Sequence, residues 1–548
     1  MFFDQNKFKE AISQSDSAAV QEQCEYLIKD FYQDPASFTD DRTEPVMEDL
    51  RGMRQFALMV RLGDVFLQMG QASNTVRKLF AQALIEEKIY MPTISVLKDL
   101  IRNINDDTAK ESCEAHGLMG RIYKQLYVNA GNPLYPAARR SINQAMETYY
   151  TVYNQDKSKR LWFGINCVAL AVRARIDGID LDTTVSVLQE ATFILETIEA
   201  KKEPRMGIYD SAIAMEACIA LGNFPKALYF AGLYTEQEEA SAFNYAGTLR
   251  QLTEIWRLNS ETADNKMKQL IPLIRGALLQ RDGGALSVKS NELKNELANR
   301  SDLTQEALLG TDKFQSYDWY MRGAARCLAV GRIGKESTRG LGTGFLMPGE
   351  KIHPELAGEM VLLTNAHVVT EKRDDERNAL LPYEVKVVFE ALDLPKSYYE
   401  VKDKPFFNSP SNDLDVTILQ FEKVDSDELK AALLQKKLRF DVARHLPDKK
   451  KGRVYIIGHP AGGTLQLSLL DNVLLDFDDD RLMHYRAPTV GGSSGSPVYD
   501  DDWQLIGIHH AGGEAVRRLN NEEGMYAANE GIQMKAILAA ITKQKEKK

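Results

Sequence analysis

Gly491-Gly492-Ser493-Ser494-Gly495-Ser496-Pro497-Val498 decides how the second half of this chain is read. Glycines before and after Ser494 let a tight turn present a hydroxyl at its tip, with backbone N–H groups beside it. Pro497-Val498-Tyr499 then continues as a strand, not a helix. A Gly/Ser-rich turn is common in loops, so its meaning depends on what stands upstream. Working back, Asn412-Asp413-Leu414-Asp415-Val416-Thr417-Ile418-Leu419-Gln420-Phe421 is an acid opening an alternating strand. Further back, Leu362-Leu363-Thr364-Asn365-Ala366-His367-Val368-Val369 places a histidine just after a buried strand. Singly, each reads as an ordinary strand end. Together they set His367, Asp415 and Ser494 in order, 48 and 79 residues apart.

The region around them has a period of two. Short β-rich runs follow Tyr317 at 327–333, 342–347, 360–364, 384–390, 415–421, 453–458, 465–476, 482–487, 496–499 and 504–510. So many short strands in one region predict a sandwich or barrel, closed by a helical pattern over Met534–Ile541. The five cysteines (Cys24, Cys113, Cys167, Cys218, Cys327) are odd in number and without CxxC spacing. None follows Cys327, so this β region folds without a disulfide or a thiolate metal site. The expectation is five buried, inert thiols.

A serine hydroxyl is a poor nucleophile at neutral pH and needs a base within hydrogen-bond reach. His367 fits that role, with a carboxylate to fix its tautomer and stabilise the imidazolium. Asp415 begins the buried run and is preferred; Asp413, on the same face of the strand, is the competing candidate. The N–H groups of Gly492 and Ser494 would face a developing oxyanion, where one such donor is worth about 3–4 kcal/mol. An α/β-hydrolase is excluded: its elbow reads Gly-x-Ser-x-Gly into a helix, and its order is Ser…Asp…His. A zinc hydrolase is excluded because no His-Glu-x-x-His occurs.

Over residues 318–545 the chain resembles the trypsin-like (chymotrypsin-fold) serine peptidases, with His367, Asp415 and Ser494 at the positions of their triad. The resemblance implies an all-β double barrel that hydrolyses peptide bonds without a cofactor or metal. It also implies that Leu505-Ile506-Gly507-Ile508-His509-His510 walls the pocket for the residue before the scissile bond. Glutamyl endopeptidases carry Gly-Ile-His there, which makes His509 and Thr489 candidate substrate-binding residues for a Glu or Asp side chain. A cationic imidazole would suit such a carboxylate. Pro488 stands where trypsins hold their Asp, so a preference for Arg or Lys is not expected. His510 falls where the family has a Ser supporting the catalytic Asp, and neighbours on a strand point to opposite faces. His459 matches a structural turn. The runs Asp478–Asp480 and Asp500–Asp502 read as solvated loops, with calcium binding as the alternative.

Before residue 310 the period is helical, as in Phe56, Met59, Val60, Leu62 and Phe66. Breaks fall at Gly70, Gly131-Asn132-Pro133, Gly178 and Gly222-Asn223. Small residues and aromatics recur around these turns: Gly63, Phe66 and Ala81/Ala83; Gly120, Tyr123 and Tyr149; Ala217, Phe224, Ala227 and Ala231. This is the arrangement of a tetratricopeptide-like solenoid, with an ordinary α-helical bundle as the alternative. Gly120–Lys124, Ala145–Tyr150, Phe163–Asn166 and Glu216–Asn223 resemble the TRAFs-binding region of the apoptosis signal-regulating kinases, over about residues 50–260. In that family the region is regulatory.

The expected organisation is therefore an α-helical sensor region at 1–284, a helical connector at 285–317 and a peptidase domain at 318–548. With 548 residues, a charged fraction of 27% and a hydrophobic fraction of 44%, the chain is globular and multidomain. Its net charge of −10 argues against nucleic acid as a partner. No apolar run is long enough for a membrane span and no signal peptide opens the chain, so the expected location is cytoplasmic. The expected partners are a protein substrate and an activating protein or small molecule at the helical region. Control of the HtrA kind, by loops that order the oxyanion hole, suits a peptidase without a zymogen cleavage signal. The architecture gives the expectation of a role in stress or antiviral defence. An interaction scaffold on an inactive peptidase fold is the reading from a different class.

Overall fold

The computed structural model describes residues 3–13, 17–35, 39–70, 72–201, 207–260, 262–281, 290–298, 315–373, 378–449, 452–468, 473–479, 481–486 and 492–546. The chain divides into two compact units, residues 1–284 with 305–317, and residues 285–304 with 318–548.

The first unit is all-helical among the described residues, built of successive helices packed in antiparallel pairs. They run from Gln5–Ser13 through Phe56–Gln68, Asn74–Glu86, Lys110–Asn129, Pro136–Gln155, Leu161–Asp177, Ile208–Ala220 and Phe224–Thr235 to Leu270–Leu279. The small-plus-aromatic pattern has a direct cause. A Cβ on Gly63 would lie 2.5 Å from the Phe80 ring, and one on Gly120 would lie 2.7 Å from that of Tyr149. One on Gly164 would meet the Tyr153 ring at 2.5 Å. Only a hydrogen fits at these crossings, and the rings fill the space between repeats. The aromatic against Gly63 is thus Phe80, from the next helix, not Phe66 of its own helix. The breaks are helix ends: Gly178 (φ +67°) closes Leu161–Asp177, with Ile179 N–H donating to Ala174 C=O at 2.9 Å. All five cysteines are buried and free.

The second unit holds two antiparallel sheets, the two-barrel architecture expected. The first sheet contains β1 (Val330–Gly334), β2 (Gly342–Pro348), β3 (Met360–Thr364), β4 (Lys386–Val388), β5 (Phe407–Ser409) and β6 (Val416–Gln420), in the order β4-β1-β2-β3-β6-β5. The second contains β7 (Tyr455–Gly458), β8 (Gln466–Ser468), β9 (Leu474–Phe477), β10 (Leu482–Tyr485), β11 (Pro497–Tyr499), β12 (Leu505–Arg517) and β13 (Met525–Gln533), in the order β8-β7-β11-β12-β13-β10-β9. A helix, Met534–Glu546, follows β13.

Three features differ from the sequence reading. The helix Gln315–Arg326 extends past Tyr317, where the β period was expected to begin. It packs on the second sheet through Trp319, whose Nε1 donates to Asp501 C=O at 2.7 Å, and through Gly323, where a Cβ would meet the Trp503 ring at 2.2 Å. The expected connector does not stand apart. Its described helix, Ser290–Ala298, belongs to the second unit, where Lys294 pairs with Asp393 at 2.7 Å and Glu296 accepts from Tyr320 OH at 2.8 Å. The helix Lys423–Gln435 and strands β5 and β13 also lie outside the expected runs.

Candidate active site

The histidine turn is held from both sides. Strand β3 ends at Thr364, whose hydroxyl donates to Thr343 C=O at 2.7 Å. Asn365 Nδ2 then donates to Asp415 C=O at 2.9 Å, which fixes the start of the turn against the start of β6. His367 N–H donates to Asp415 Oδ1 at 3.0 Å, and His367 Nδ1 lies 2.7 Å from Asp415 Oδ2. One carboxylate thus orients both the backbone and the ring of His367. Asp415 is 1% exposed and has φ +54°, a left-handed conformation that Asp tolerates better than most residues. Asp413, two residues earlier, turns away and accepts from Ser409 Oγ at 2.7 Å.

The serine turn is tied to the same strand. Ser494 C=O accepts from Thr343 N–H at 2.9 Å, and Thr343 Oγ1 donates to Gly492 C=O at 3.0 Å. Gly495 (φ +87°) crosses so close that a Cβ would lie 2.0 Å from Thr343 C=O and 2.6 Å from Thr364 Oγ1. Thr343 therefore joins the serine turn of the second sheet to the histidine strand of the first. Gly492 also has positive φ, +94°. Among the described residues, the N–H groups of Gly492 and Ser494 donate no hydrogen bond. Gly491, Pro488 and Thr489 lie outside the described residues, so the expected Thr489 wall does too.

His509 and His510 diverge. The β12–β13 register shifts between His509 and Ala511, a bulge that re-aims the intervening side chain. His509 is 4% exposed, and its Nδ1 meets Tyr485 OH at 2.9 Å. Burial first, then the positive charge of neighbouring His510, pushes it down to about 3. The expected cationic imidazole is therefore corrected: in this structure His509 is neutral, because its surroundings are too poorly solvated to carry the charge.

His510 faces the other way. Its Nδ1 lies 3.1 Å from Asp415 Oδ2 and its Nε2 lies 2.7 Å from Glu530 Oε1. Glu530 Oε2 in turn meets His484 Nε2 at 2.7 Å, and His484 Nδ1 meets Tyr526 OH at 2.9 Å. Burial opposes charge on His510, but hydrogen bonds to Asp415 and Glu530 outweigh it and raise it to about 9. Burial would likewise raise Asp415, yet its bonds to His367 and His510 hold it near 2. Glu530 is held near 2 against the same burial, by His484 and His510. The site is thus a chain of alternating imidazoles and carboxylates, extending from His367 into β13.

The remaining expected residues have structural partners. His459 is fully buried with Nδ1 3.0 Å from Gly463 C=O, and burial lowers it to about 4. Asp500 and Asp501 are not merely solvated. Asp500 Oδ1 accepts from the amides of Asp502 and Gln504, and Asp501 accepts from Arg453 N–H and Tyr455 OH. Asp478 Oδ1 accepts from the amides of Arg481 and Leu482. Among the described residues no group of three or more His, Cys, Asp or Glu is placed to hold a metal ion.

Comparison with known proteins agrees with this geometry. Residues 342–508 match the family described as trypsin-like peptidase domain, and residues 55–171 match the one described as Tetratricopeptide Repeats-Sensor. Residues 342–508 thus form a domain of the trypsin-like serine peptidase kind, and residues 55–171 carry tetratricopeptide-type sensor repeats ahead of it. A curated relative is the uncharacterized protein y4fB of Sinorhizobium fredii (strain NBRC 101917 / NGR234), 28% identical over 229 residues. The match takes in 40% of this chain and only 33% of that relative's own length. Among solved structures, the active form of the Rv3671c protease from M. tuberculosis is 17% identical over 40% of this chain and 83% of its own, with a TM-score of 0.26. The serine endoprotease from Yersinia pestis is 17% identical over 41% of this chain and 65% of its own, also with a TM-score of 0.26. Among the described residues no helix is long and apolar enough to cross a membrane.

Proposed function

We propose that this peptidase cuts protein substrates through Ser494, His367 and Asp415, under control of its helical repeats. The observation that carries the reading is the single carboxylate of Asp415, 2.7 Å from His367 Nδ1, beside a serine turn anchored on the same Thr343 as the histidine strand. With Nδ1–H committed to Asp415, the His367 tautomer leaves Nε2 as the base. Ser494 Oγ attacks the scissile carbonyl carbon while Nε2 takes its proton. The amides of Gly492 and Ser494 meet the developing oxyanion, each donor worth about 3–4 kcal/mol in the transition state. Nε2 then returns the proton to the leaving amine, and water repeats the sequence on the acyl-enzyme.

The proposal extends to specificity and control. His509, bonded to Tyr485 OH, offers a neutral imidazole to the residue before the scissile bond, and a Glu or Asp carboxylate there can accept its remaining proton. The helical repeats act as the sensor that gates cleavage, in the cytoplasm, in a stress or antiviral response; domain architecture is the support for that last step. The test is digestion of a mixed peptide library by wild type and Ser494→Ala, with and without host-cell extract, read by mass spectrometry. Cuts after Glu or Asp that vanish in the variant support catalysis and specificity together. Cuts after other residues remove the His509 assignment, and cuts that need extract support gating.

A further inference from the structure

The helical unit contains a cavity of about 610 Å³, walled by residues between Arg51 and Ile255. Eight cationic side chains line it against three carboxylates, in a chain whose net charge is −10. Several of the cations are not neutralised locally. Glu86 is shared by Arg121 and Arg250, and Lys78 pairs with Glu114. Arg51, Lys110, Lys124 and Arg160 form no ion pair among the described residues. Lys124 donates instead to Asn166 Oδ1 at 2.9 Å and Gln251 Oε1 at 2.6 Å. Burial pushes Lys124 down to about 7, against the pull of Glu216, so its charge is held at a cost that an anion would relieve.

Two further observations point to a ligand with a ring. Trp162 lines the cavity with 37% of its surface open, propped edge-on against Tyr149 at 5.7 Å and 81°. The Tyr149 hydroxyl, fully buried on the same wall, has no hydrogen-bond partner among the described residues. The cavity wall also includes Gln251 and Glu254 from a π-helical turn, Gln251–Ile255, a distortion frequent at functional sites.

We propose that this cavity binds a nucleotide, its phosphates among Arg160, Lys110 and Lys124 and its base against Trp162. A free nucleotide differs from a nucleic acid in needing an enclosed pocket of charge, not a basic face. The proposal does not rest on the peptidase reading, because binding is measured without cleavage. Calorimetry on the full chain carrying Ser494→Ala would use AMP, ADP, ATP, GMP, GDP and GTP, with inorganic pyrophosphate and adenosine as part-ligands. The expected result is a dissociation constant of about 100 µM or tighter for at least one nucleotide, with both part-ligands at least about tenfold weaker. Lys110→Glu with Arg160→Glu should weaken binding at least about tenfold, since each reverses a charge at the cavity, while the melting temperature is kept. Trp162→Leu should weaken the nucleotide and leave pyrophosphate unchanged. Absence of heat with every nucleotide at about 1 mM would overturn the proposal. So would equal affinity for pyrophosphate, or full binding by the charge-reversed protein.

Discussion

His510 Nδ1 stands 3.1 Å from Asp415 Oδ2, the same oxygen that His367 Nδ1 approaches at 2.7 Å. One carboxylate oxygen therefore serves two imidazoles. The second of them is held in its protonated form by Asp415 and Glu530 together. His510 does not touch the reacting atoms in the proposed reaction; it positions the carboxylate that positions the base.

This arrangement makes alkaline stability depend on His510. Its folded-state value is raised to about 9 from an unfolded value of about 6.5, so its stabilisation is full below about pH 6.5 and is lost as pH rises through 9. Denaturant melts of wild type should show a midpoint that falls between pH 7 and 10, by on the order of 2 kcal/mol in stability. His510→Gln should be less stable at pH 7 and nearly flat over that window. A variant with the wild-type slope would remove His510 from this role.

Asp415 and Asp413 should separate cleanly. Asp415→Asn keeps the shape but favours the wrong His367 tautomer, and should lower the rate of Ser494 labelling by an active-serine probe about 10⁴-fold. Asp413→Asn disturbs only the bond from Ser409, and a change of about threefold or less is expected. Equal losses from the two variants would mean that the turn at 409–415, and not the His367 contact, is what matters.

Gly495→Ala tests the crossing at Thr343. The new methyl would sit 2.0 Å from a carbonyl oxygen at φ +87°, so neither space nor backbone allows it. Probe labelling should disappear, and the peptidase unit should lose about 2 kcal/mol or more. A variant that labels at the wild-type rate would show that the serine turn need not approach β2.

In the helical unit, Glu86→Gln should be severely destabilising. Its carboxylate, only 9% exposed, serves Arg121 and Arg250, and burial would raise it were those two cations not holding it down. Removing the charge leaves two guanidinium groups facing each other in a poorly solvated site. A loss of about 3–5 kcal/mol is expected in urea unfolding followed by circular dichroism at 222 nm. A change under about 1 kcal/mol would mean that solvent already screens the cluster.

Much of the site could be read from the chain because tight geometry demands particular residues. The turn at Ser494 needs glycine at Gly492 and Gly495, and strand β3 needs the apolar run Met360–Leu363 that fills both faces. Asp415 stood out from Asp413 because it opens the buried run that becomes β6, whereas Asp413 lies on the exposed turn before it. What stayed hidden depends on contacts across the sheet. Strand β13 contains Ala-Ala-Asn-Glu-Gly, poor strand formers that become a strand only by pairing with β12. Glu530 could not be linked to His510 without the bulge that sets their register. The helix Gln315–Arg326 was masked by Tyr317, Trp319 and Tyr320, aromatics that suit a strand equally well. No short-range pattern joins Arg51 to Arg160 and Arg250, which share a cavity wall only through the stacking of repeats.

The bridge at Thr343 also bears on when, during synthesis, the proposed triad can form. His367 and Asp415 belong to the first sheet, while Ser494 arrives on the second, and Glu530 lies later still, on the strand before the final helix. A ribosome that has delivered the first sheet has delivered an imidazole and a carboxylate but no hydroxyl to activate. The proposed triad can assemble only after Ser494 has been made, by which time the helical repeats, which precede it in the chain, already exist. Under the proposed gating, chain order thus has the restraint made before the hydroxyl that it controls.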